Sequence, residues 1–395
     1  MKDKRLFWIF ALSGSIYFIQ GIEALPSQAL FYYLKETLNF SASKIMILSS
    51  IINLSWLVKP PIGYLIDRYF NKKTWIYLAL FLDILSVLIL GLWSLPVWSM
   101  VFLLLLNSSN SSFRDVSIDG IMCVEGKKYN ATGKIQSIQW LSISGASIIT
   151  GIAGGYIAWR WDYKFAFLCL IPFYLSCAVV AYFYKEEPSP SLEKRYFISD
   201  IKRLFSHKQL MIVALFIFLY KYSPSFGTPL FFIQRDVFKW DKRWIGFLAT
   251  LGSFFEIIGA LFYYRFSQRI NLKKWLFASV FLGAITTLSY LYYTPISAVI
   301  YDILYSFIGM FIFIMVLDFM AKNTIEGMEA TSFAFLCSVS NLSAVFSNVS
   351  GAFLYPLVGL KCLIIISSLT SFLCLPLINK IEFRENVCNR IIIMS

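Results

Sequence analysis

Charged residues interrupt an apolar segment that begins near residue 97, where the stretch "SSFRDVSIDGIMCVEG" (111–126) carries Arg114, Asp115, Asp119 and Glu125. Asp115 and Asp119 are one helical turn apart, so a helix would place both carboxylates on one face. Arg114 would point about 100° away from Asp115. Carboxylates within an apolar helix accept N–H groups from a ligand, carry a proton or pair with a cation. The elements that surround this helix decide which of these applies.

The composition indicates an integral membrane protein. Of the 395 residues, 58% are hydrophobic and 14% are charged, against about a quarter charged in soluble domains, and the mean hydropathy is +0.68. The net charge of +13 is spread between apolar runs rather than gathered in one patch, which argues against nucleic-acid binding. One histidine, His207, and seven scattered cysteines without a CxxC pair argue against a metal site, a disulfide framework or His-based catalysis. We therefore expect no metal, no cofactor and no enzymatic activity, with a membrane enzyme or scaffold as the rival class.

Twelve apolar runs are long enough to cross a bilayer as helices, since a span needs about 20 apolar residues. Strands are excluded because an open strand would leave backbone groups unsatisfied in lipid. The predicted fold is an all-α membrane protein with two six-helix halves, and the runs are 6–34, 43–67, 74–93, 97–124, 132–158, 163–184, 209–233, 244–266, 274–292, 297–320, 328–355 and 359–379.

Lysines and arginines predict the orientation of these spans. Most of the 35 basic residues fall in loops that share one side if both termini are cytoplasmic. The longest polar stretch, "KEEPSPSLEKRYFISDIKRLFSHK", divides the chain into an N-terminal half (1–184), a cytoplasmic linker (185–208) and a C-terminal half (209–395). The linker is expected to hold one short amphipathic helix near residues 198–205. The first apolar run is interpreted as an uncleaved span rather than a signal peptide.

Ionisable and amide side chains occur in several of the other predicted spans. Inside a bilayer such a charge is unfavourable unless it is paired or solvated, so each is a candidate functional residue. The simplest arrangement pairs Lys59 with Asp115 or Asp119, either as a structural link between the second and fourth spans or as part of a ligand site. Asp83 is alone in its span and is expected to be structural or to reach the interface. The remaining candidates are Gln20, Glu23, Lys221, Glu256 and Asp318.

The two halves repeat at an offset of 200 residues, because "ALFYYLKETLNFSASKI" (29–45) aligns with "PLFFIQRDVFKWDKRWI" (229–245) without a gap. A parallel repeat of two six-helix halves is the architecture of major facilitator transporters. The stretch "KPPIGYLIDRYFNKKTW" (59–75) resembles the signature between helices 2 and 3 of that superfamily. The resemblance implies a cytoplasmic gate in which Glu125 would pair with Arg68 or Lys72. The other gate residues would be Gly63 and Asp67, and ordinary positive-inside loop charge is the alternative interpretation.

Further motifs, in their order along the chain, resemble the folate–biopterin transporter family of the major facilitator superfamily. They are "WLVKPPIGYLIDR", "RDVSIDGIMCVEG" with "GKIQSIQW", and "EATSFAFLCSVSNLSAVFSNVSG". Within them stand Lys59-Pro60, Asp115 and Asp119, Gln136 with Trp140, and Glu329-Ala330-Thr331 with Asn341. Pro61 departs from the pattern of that family, and muropeptide and acetyl-coenzyme-A permeases share a similar fourth helix.

The resemblance implies a secondary transporter of a folate- or pterin-like compound that works by alternating access and is coupled to protons. Another organic anion or a nucleotide-like metabolite is the alternative substrate. No phosphate-binding loop is present, so ion gradients rather than ATP would drive transport. We expect a monomer in a bacterial inner membrane, with both termini cytoplasmic and the lipid bilayer and a small molecule as its partners. The expected substrate-binding residues are Glu23, Lys59, Arg114, Asp115, Asp119, Gln136, Trp140, Lys221 and Asp318, and Glu23, Asp318 or an aspartate of the fourth span would carry the proton.

Overall fold

A computed structural model describes residues 2–40, 48, 51–52, 55–56, 58–187, 197–240 and 242–382. Within these ranges every regular element is helical, as the apolar runs predict. The chain divides into two compact units. The first, the N-terminal unit, is Met1–Lys194 with Glu326–Ala334, and the second, the C-terminal unit, is Arg195–Ile325 with Phe335–Ser395. The predicted three-part division at residues 185 and 208 stays a prediction, and residues 188–196 of its linker lie outside the described ranges.

Proline and asparagine mark the two ends of the longest helix in the described part of the N-terminal unit. A π-helical turn, Tyr33–Thr37, directly follows the short helix Ser27–Tyr32. Two residues separate the helix that ends at Leu168 from the one that begins at Ile171. Pro96 precedes the long α5, and Asn130, with a left-handed φ of 51°, ends it. The helices are α1 (Lys2–Ile22), α2 (Ser27–Tyr32), α3 (Lys59–Arg68), α4 (Lys72–Leu92), α5 (Val97–Tyr129), α6 (Thr132–Arg160), α7 (Tyr163–Leu168) and α8 (Ile171–Phe183).

The C-terminal unit has a similar order of elements. Its first helix, α9, is the short amphipathic helix expected in the linker. A π-helical turn, Ile233–Val237, follows the helix α11. The helices are α9 (Phe197–Ser206), α10 (Lys208–Lys221), α11 (Gly227–Phe232), α12 (Lys242–Phe266), α13 (Leu272–Ser289), α14 (Pro295–Lys322), α15 (Glu329–Thr370) and α16 (Leu375–Ile378). The N-terminal unit includes α15 as far as Ala334, and the C-terminal unit includes the helix from Phe335 onwards.

Seven helical stretches among the described residues are long and apolar enough to cross a membrane. They are Lys4–Thr37, Lys72–Leu92, Thr132–Arg160, Tyr163–Phe183, Leu272–Tyr292, Pro295–Lys322 and Glu329–Ile378. The last of these contains Gly359 with φ 72°, which breaks the helix where the eleventh and twelfth spans were expected to part. Much of the second predicted span lies outside the described residues, so the count of twelve stays a prediction.

The backbone repeats at the same offset of 200 residues as the sequence. The two π-helical turns, Tyr33–Thr37 and Ile233–Val237, are 200 residues apart. Each is followed by a residue with positive φ, 51° at Asn39 and 57° at Lys239. π-Helical turns are rare and concentrate at functional sites, so two of them in register support the internal repeat.

Close helix packing holds each unit together. A Cβ atom on Gly21 would lie 2.8 Å from the backbone oxygen of Ile143, so α1 and α6 touch backbone to backbone at that point. In the C-terminal unit a Cβ atom on Gly259 would lie 2.4 Å from the backbone oxygen of Phe307, between α12 and α14. Small residues at such crossings allow the van der Waals contact that holds membrane helices together.

Candidate functional site

A buried arginine joins three helices of the N-terminal unit. Arg114 on α5 is 1% exposed. Its guanidinium pairs with the carboxylate of Glu23, just beyond α1, and its Nη1 lies 2.9 Å from Oδ2 of Asp83 on α4. A planar guanidinium with five donors can serve two carboxylates at once, which an ammonium group cannot do in the same geometry. Asp83 is therefore part of an ion-pair network, and the expectation that it stands alone was wrong.

Neutral side chains complete this triad of Glu23, Asp83 and Arg114. Asn107 and Asn110 each donate an amide N–H to Oδ1 of Asp83 at 3.0 Å. The hydroxyl groups of Tyr174 and Ser111 donate to the two oxygens of Glu23 at 3.0 and 2.8 Å. Such partners are needed because a buried ion pair is tolerated only when its other lone pairs are satisfied.

The missed network had a signal in the sequence. Asn107, Asn110 and Arg114 follow one another at spacings of three and four residues, which places all three on one face of α5. A polar stripe of this kind on a membrane helix needs a charged partner on a neighbouring helix, and Asp83 is the charged residue of α4 that supplies it.

A second ion pair lies on another face of α5. Nζ of Lys59, the first residue of α3, is 2.7 Å from Oδ2 of Asp115. The same ammonium group lies 4.6 Å from the centre of the Trp56 ring, at a cation–π distance. The expected pair of Lys59 with an aspartate of the fourth span is thus present, and it is formed with Asp115.

Asp119, one turn further along α5, is held by neutral donors. Its Oδ1 accepts from the hydroxyl of Tyr17 at 3.1 Å and from the amide of Gln139 at 3.3 Å. The ring of Trp140 meets Tyr17 edge-on, with ring centres 6.4 Å apart. Gln136, one turn before Trp140, donates to Sδ of Met122 at 3.7 Å. Five of the predicted site residues therefore lie along α5 and α6. Trp140 is partly exposed, and the other four side chains are buried inside the protein: Arg114, Asp115, Asp119 and Gln136.

A cavity of about 470 Å³ opens among α1, α2 and α5 of the same unit. Of the predicted binding residues, Glu23 lines it. Oε1 of Gln20 is buried and has no hydrogen-bond partner within the described residues. Trp56 supplies an aromatic face, and the other polar groups of the lining are Ser27, Asn107, Ser108 and Ser111. Volumes of this size, mostly apolar with a few convergent polar groups, are typical of small-molecule sites.

The other two predicted binding residues belong to the C-terminal unit. Lys221 ends α10, and its Nζ lies 5.1 Å from the centre of the Phe313 ring. Asp318 on α14 is fully buried, and its Oδ2 accepts from the hydroxyl of Tyr263 at 2.8 Å and pairs with Lys322 at 2.9 Å.

The predicted gate motif meets the first turn of α15. Both oxygens of Asp67 accept backbone N–H groups there, from Ala330 at 3.3 Å and Thr331 at 2.7 Å, and the Thr331 hydroxyl donates at 2.7 Å. Gly63 makes the approach possible, because a Cβ atom on it would lie 2.8 Å from the backbone oxygen of Ala330. Lys72 is 3.8 Å from Asp67, and Arg68 is the last residue of α3. Asp67 is therefore the N-terminal cap of α15. Its carboxylate accepts backbone N–H groups that have no partner within the helix, and the helix dipole favours a negative charge at this end.

We expect Asp67→Ala to lower the free energy of unfolding by about 1–2 kcal/mol, because the first turn of α15 loses its cap. The free energy of unfolding of Asp67→Asn should lie between those of Asp67→Ala and the wild type, since the amide oxygen still accepts a hydrogen bond. Thermal unfolding in detergent measures the effect, with the loss of the monodisperse size-exclusion peak as the readout. Equal melting temperatures for all three proteins would contradict the capping role.

Glu125 has a different partner from the one expected. Its Oε1 pairs with Arg5 at the start of α1 and accepts from the hydroxyl of Tyr184 at 3.3 Å. In this structure Arg5 pairs with Glu125 in place of the predicted Arg68 or Lys72, although Lys72 also lies beside α5, at Gly120. Arg5 also contacts Glu187 at 2.5 Å. A hydrogen bond from Lys128 to Glu187 lowers the pKa of that carboxyl.

Comparison with known proteins identifies the family. A model of the BT1 family matches residues 20–393. The folate-biopterin transporter of Synechocystis is 24% identical over 402 aligned positions, which cover 93% of this chain and 81% of the relative. Folate transporter 1 of Plasmodium falciparum is 25% identical, with 85% of this chain and 70% of that protein covered.

Solved structures show the fold. The Escherichia coli fucose:proton symporter superposes with a TM-score of 0.74 at 13% identity, covering 95% of this chain and 98% of that one. The human organic anion transporter MFSD10 gives a TM-score of 0.66 at 14% identity, with 95% and 99% covered. The chain thus has the fold of major facilitator transporters. The match over nearly the whole length confirms the resemblance found in the motifs, and the chain belongs to the BT1 family.

Proposed function

We propose that this protein is a secondary active transporter of folate- or pterin-like compounds, driven by protons through alternating access. The family and the fold are those of transporters, and curated relatives are named folate-biopterin transporters. The single observation that carries the substrate class is the N-terminal cavity. It combines the flat Trp56 ring with acceptors, the orphan Oε1 of Gln20 and the carboxylate of Glu23.

These groups match the chemistry of a pterin. Its bicyclic ring is flat and stacks on an aromatic face, and its amino group and ring N–H need acceptors. In this proposal Gln20, Glu23 and Trp56 touch the substrate. Lys59 and Arg114 act through the residues that they hold, since Lys59 lies over Trp56 and Arg114 pairs with Glu23.

Proton coupling is assigned to Asp119. Its neighbour Asp115 has Lys59 as a direct ionic partner, whereas the hydrogen bonds of Asp119 come from the neutral groups of Tyr17 and Gln139. A buried carboxylate without a direct ionic partner is most stable in its protonated form, which suits a proton carrier. The gating residues Gly63 and Asp67 would release and reform the cap on α15 during transport. In the membrane both termini would face the cytoplasm, as the basic loops predict.

Uptake into vesicles tests the proposal. Purified protein in liposomes should accumulate labelled folate or biopterin under an inward proton gradient, and a protonophore should stop net uptake. We expect Gln20→Leu and Trp56→Ala to raise KM about tenfold each, because one hydrogen bond or one stacked ring contributes roughly 1–3 kcal/mol.

The matched control is Gln28→Leu, since Gln28 is exposed on α2 and does not line the cavity. It should transport like the wild type. In the contrary outcome, the liposomes accumulate neither compound, while another organic anion or a nucleotide raises the melting temperature of the protein. That result would contradict the folate- or pterin-like substrate class and favour the other compound.

A further inference from the structure

The short helix α9 carries apolar side chains that its own unit leaves uncovered. Ile201 is 39% exposed and Phe205 is 57% exposed. The two residues are one helical turn apart, so they lie on the same face of α9. Leu204 is only 5% exposed, so this helix turns one apolar side chain inwards and two outwards.

The C-terminal unit holds α9 by one edge of this apolar face. At about 100° per residue, Leu204 lies roughly 60° to one side of Ile201, and Phe205 lies roughly 40° to the other side. The Phe205 ring meets that of Phe335 on α15 edge-on, with ring centres 5.7 Å apart. The remaining part of the face, around Ile201, is open.

The position of α9 in the chain places this open face beside the bilayer. One residue, His207, separates α9 from α10. Its Nδ1 accepts the backbone N–H of Leu210 at 3.1 Å, so the joint also caps α10. Because α10 begins the predicted span 209–233 and one residue reaches at most about 3.6 Å, the last turn of α9 lies where the chain enters the membrane.

Basic side chains border the open face. Residues 197–208 contain three basic residues and one acidic residue, which are Lys202, Arg203, Lys208 and Asp200. Lys202 and Lys208 are exposed. A lysine next to an apolar face can lay its stem along that face and keep its ammonium group at the level of the lipid headgroups.

The end of the chain that the structure describes adds another lysine to this area. Nε2 of Gln209 donates to the backbone oxygen of Glu382 at 3.3 Å. Lys380 is two residues before that contact and is exposed, whereas the exposed carboxylate of Glu382 offsets part of its charge. Two separate segments of the chain therefore bring lysines to the joint between α9 and α10, which favours an anionic partner.

We infer that α9 lies in the membrane surface and binds anionic phospholipids. Ile201 and Phe205 would enter the boundary between headgroups and acyl chains, and Lys202 and Lys208 would contact the phosphate groups. Helices with an apolar face and basic borders bind membrane surfaces in this way. The inference goes beyond transport and does not depend on the identity of the substrate. A second copy of the chain, or its own residues 188–196 or 383–395, would be a different occupant of the face.

Photochemical cross-linking tests what covers the face. Ile201→p-benzoylphenylalanine places a cross-linker there in the full-length protein, which is reconstituted in vesicles of equal parts phosphatidylglycerol and phosphatidylcholine. Mass spectrometry of the adducts gives the ratio of the two lipids. The comparison position is Ile285, which is 64% exposed on α13 inside the predicted span 274–292. We expect the ratio of phosphatidylglycerol to phosphatidylcholine to be about fivefold higher at 201 than at 285.

Lysine variants test the source of this preference. Lys202→Gln/Lys208→Gln, combined with the cross-linker at 201, should bring the lipid ratio down to that at 285. Lys239→Gln is the matched control, because Lys239 is an exposed lysine of the same unit that follows the π-helical turn rather than α9. It should leave the ratio unchanged. If the cross-linker at 201 prevents folding, Phe205→p-benzoylphenylalanine repeats the test, with adducts to Phe335 left out of the ratio.

Three results would overturn the inference. Adducts at 201 to a second copy, or to residues 188–196 or 383–395, would show that protein covers the face. Lipid adducts with the same ratio at 201 and 285 would show a membrane contact without recognition of anionic headgroups. No adduct at 201, with ample lipid adducts at 285, would show that α9 faces water.

Discussion

Arg114→Leu is expected to lower the free energy of unfolding by about 3–5 kcal/mol, a large part of the roughly 5–15 kcal/mol that is typical of folded proteins. The reason is that two buried carboxylates, Glu23 and Asp83, lose their common partner at once. Arg114→Lys should recover part of the loss, because lysine keeps the positive charge but lacks the planar fork of donors that reaches both carboxylates in this geometry. Folded yield in detergent and the melting temperature measure the effect.

Arg160→Leu is the control for this prediction. Arg160 is exposed at the end of α6, and its replacement should change stability by no more than about 0.5 kcal/mol. If Arg114→Leu and Arg160→Leu melt alike, the triad does not stabilise the fold.

Lys59→Met is expected to lower stability by about 3 kcal/mol, because Asp115 would remain buried without its cation. The double variant Lys59→Met/Asp115→Asn should recover most of this loss, since no unpaired charge is left. Melting temperatures of the two single variants and the double variant measure the coupling between the side chains.

The same variants decide between the two interpretations of the pair. A purely structural link predicts that uptake returns together with stability in the double variant. We expect uptake to stay low, because Lys59 also lies against Trp56 in the wall of the N-terminal cavity. Full recovery of uptake would leave the pair with a structural role alone.

The helical fold followed from the sequence because the apolar runs are long and lipid permits few alternatives. The pairing of Lys59 with an α5 carboxylate also followed, since depth and charge leave a buried lysine few partners. Helix neighbours did not follow in the same way. The partner of Glu125 was not predicted, because both Arg5 and Lys72 lie beside α5 and the sequence does not tell which of them reaches the carboxylate.

Asp83 shows a second limit of sequence reasoning. A single carboxylate in an apolar run has no visible partner until α4 and α5 are placed side by side. A cavity in the C-terminal unit, lined by Gln234, Glu256 and Asp302 among others, shows a third limit. Its residues come from three separate segments of the chain, and only the folded unit brings them to one lining. Spacing along one helix is readable, whereas proximity between helices is not.

The paired π-helical turns bear on how the protein arose. Tyr33–Thr37 and Ile233–Val237 are the same unusual turn at the same place in both units. Duplication of one ancestral six-helix gene explains two such copies most simply, and it dates the turn to before that event. Trp56 and Glu256 are also 200 residues apart, so the difference between them would have arisen after the duplication. The two halves would thus have kept the turn while the residues near it diverged.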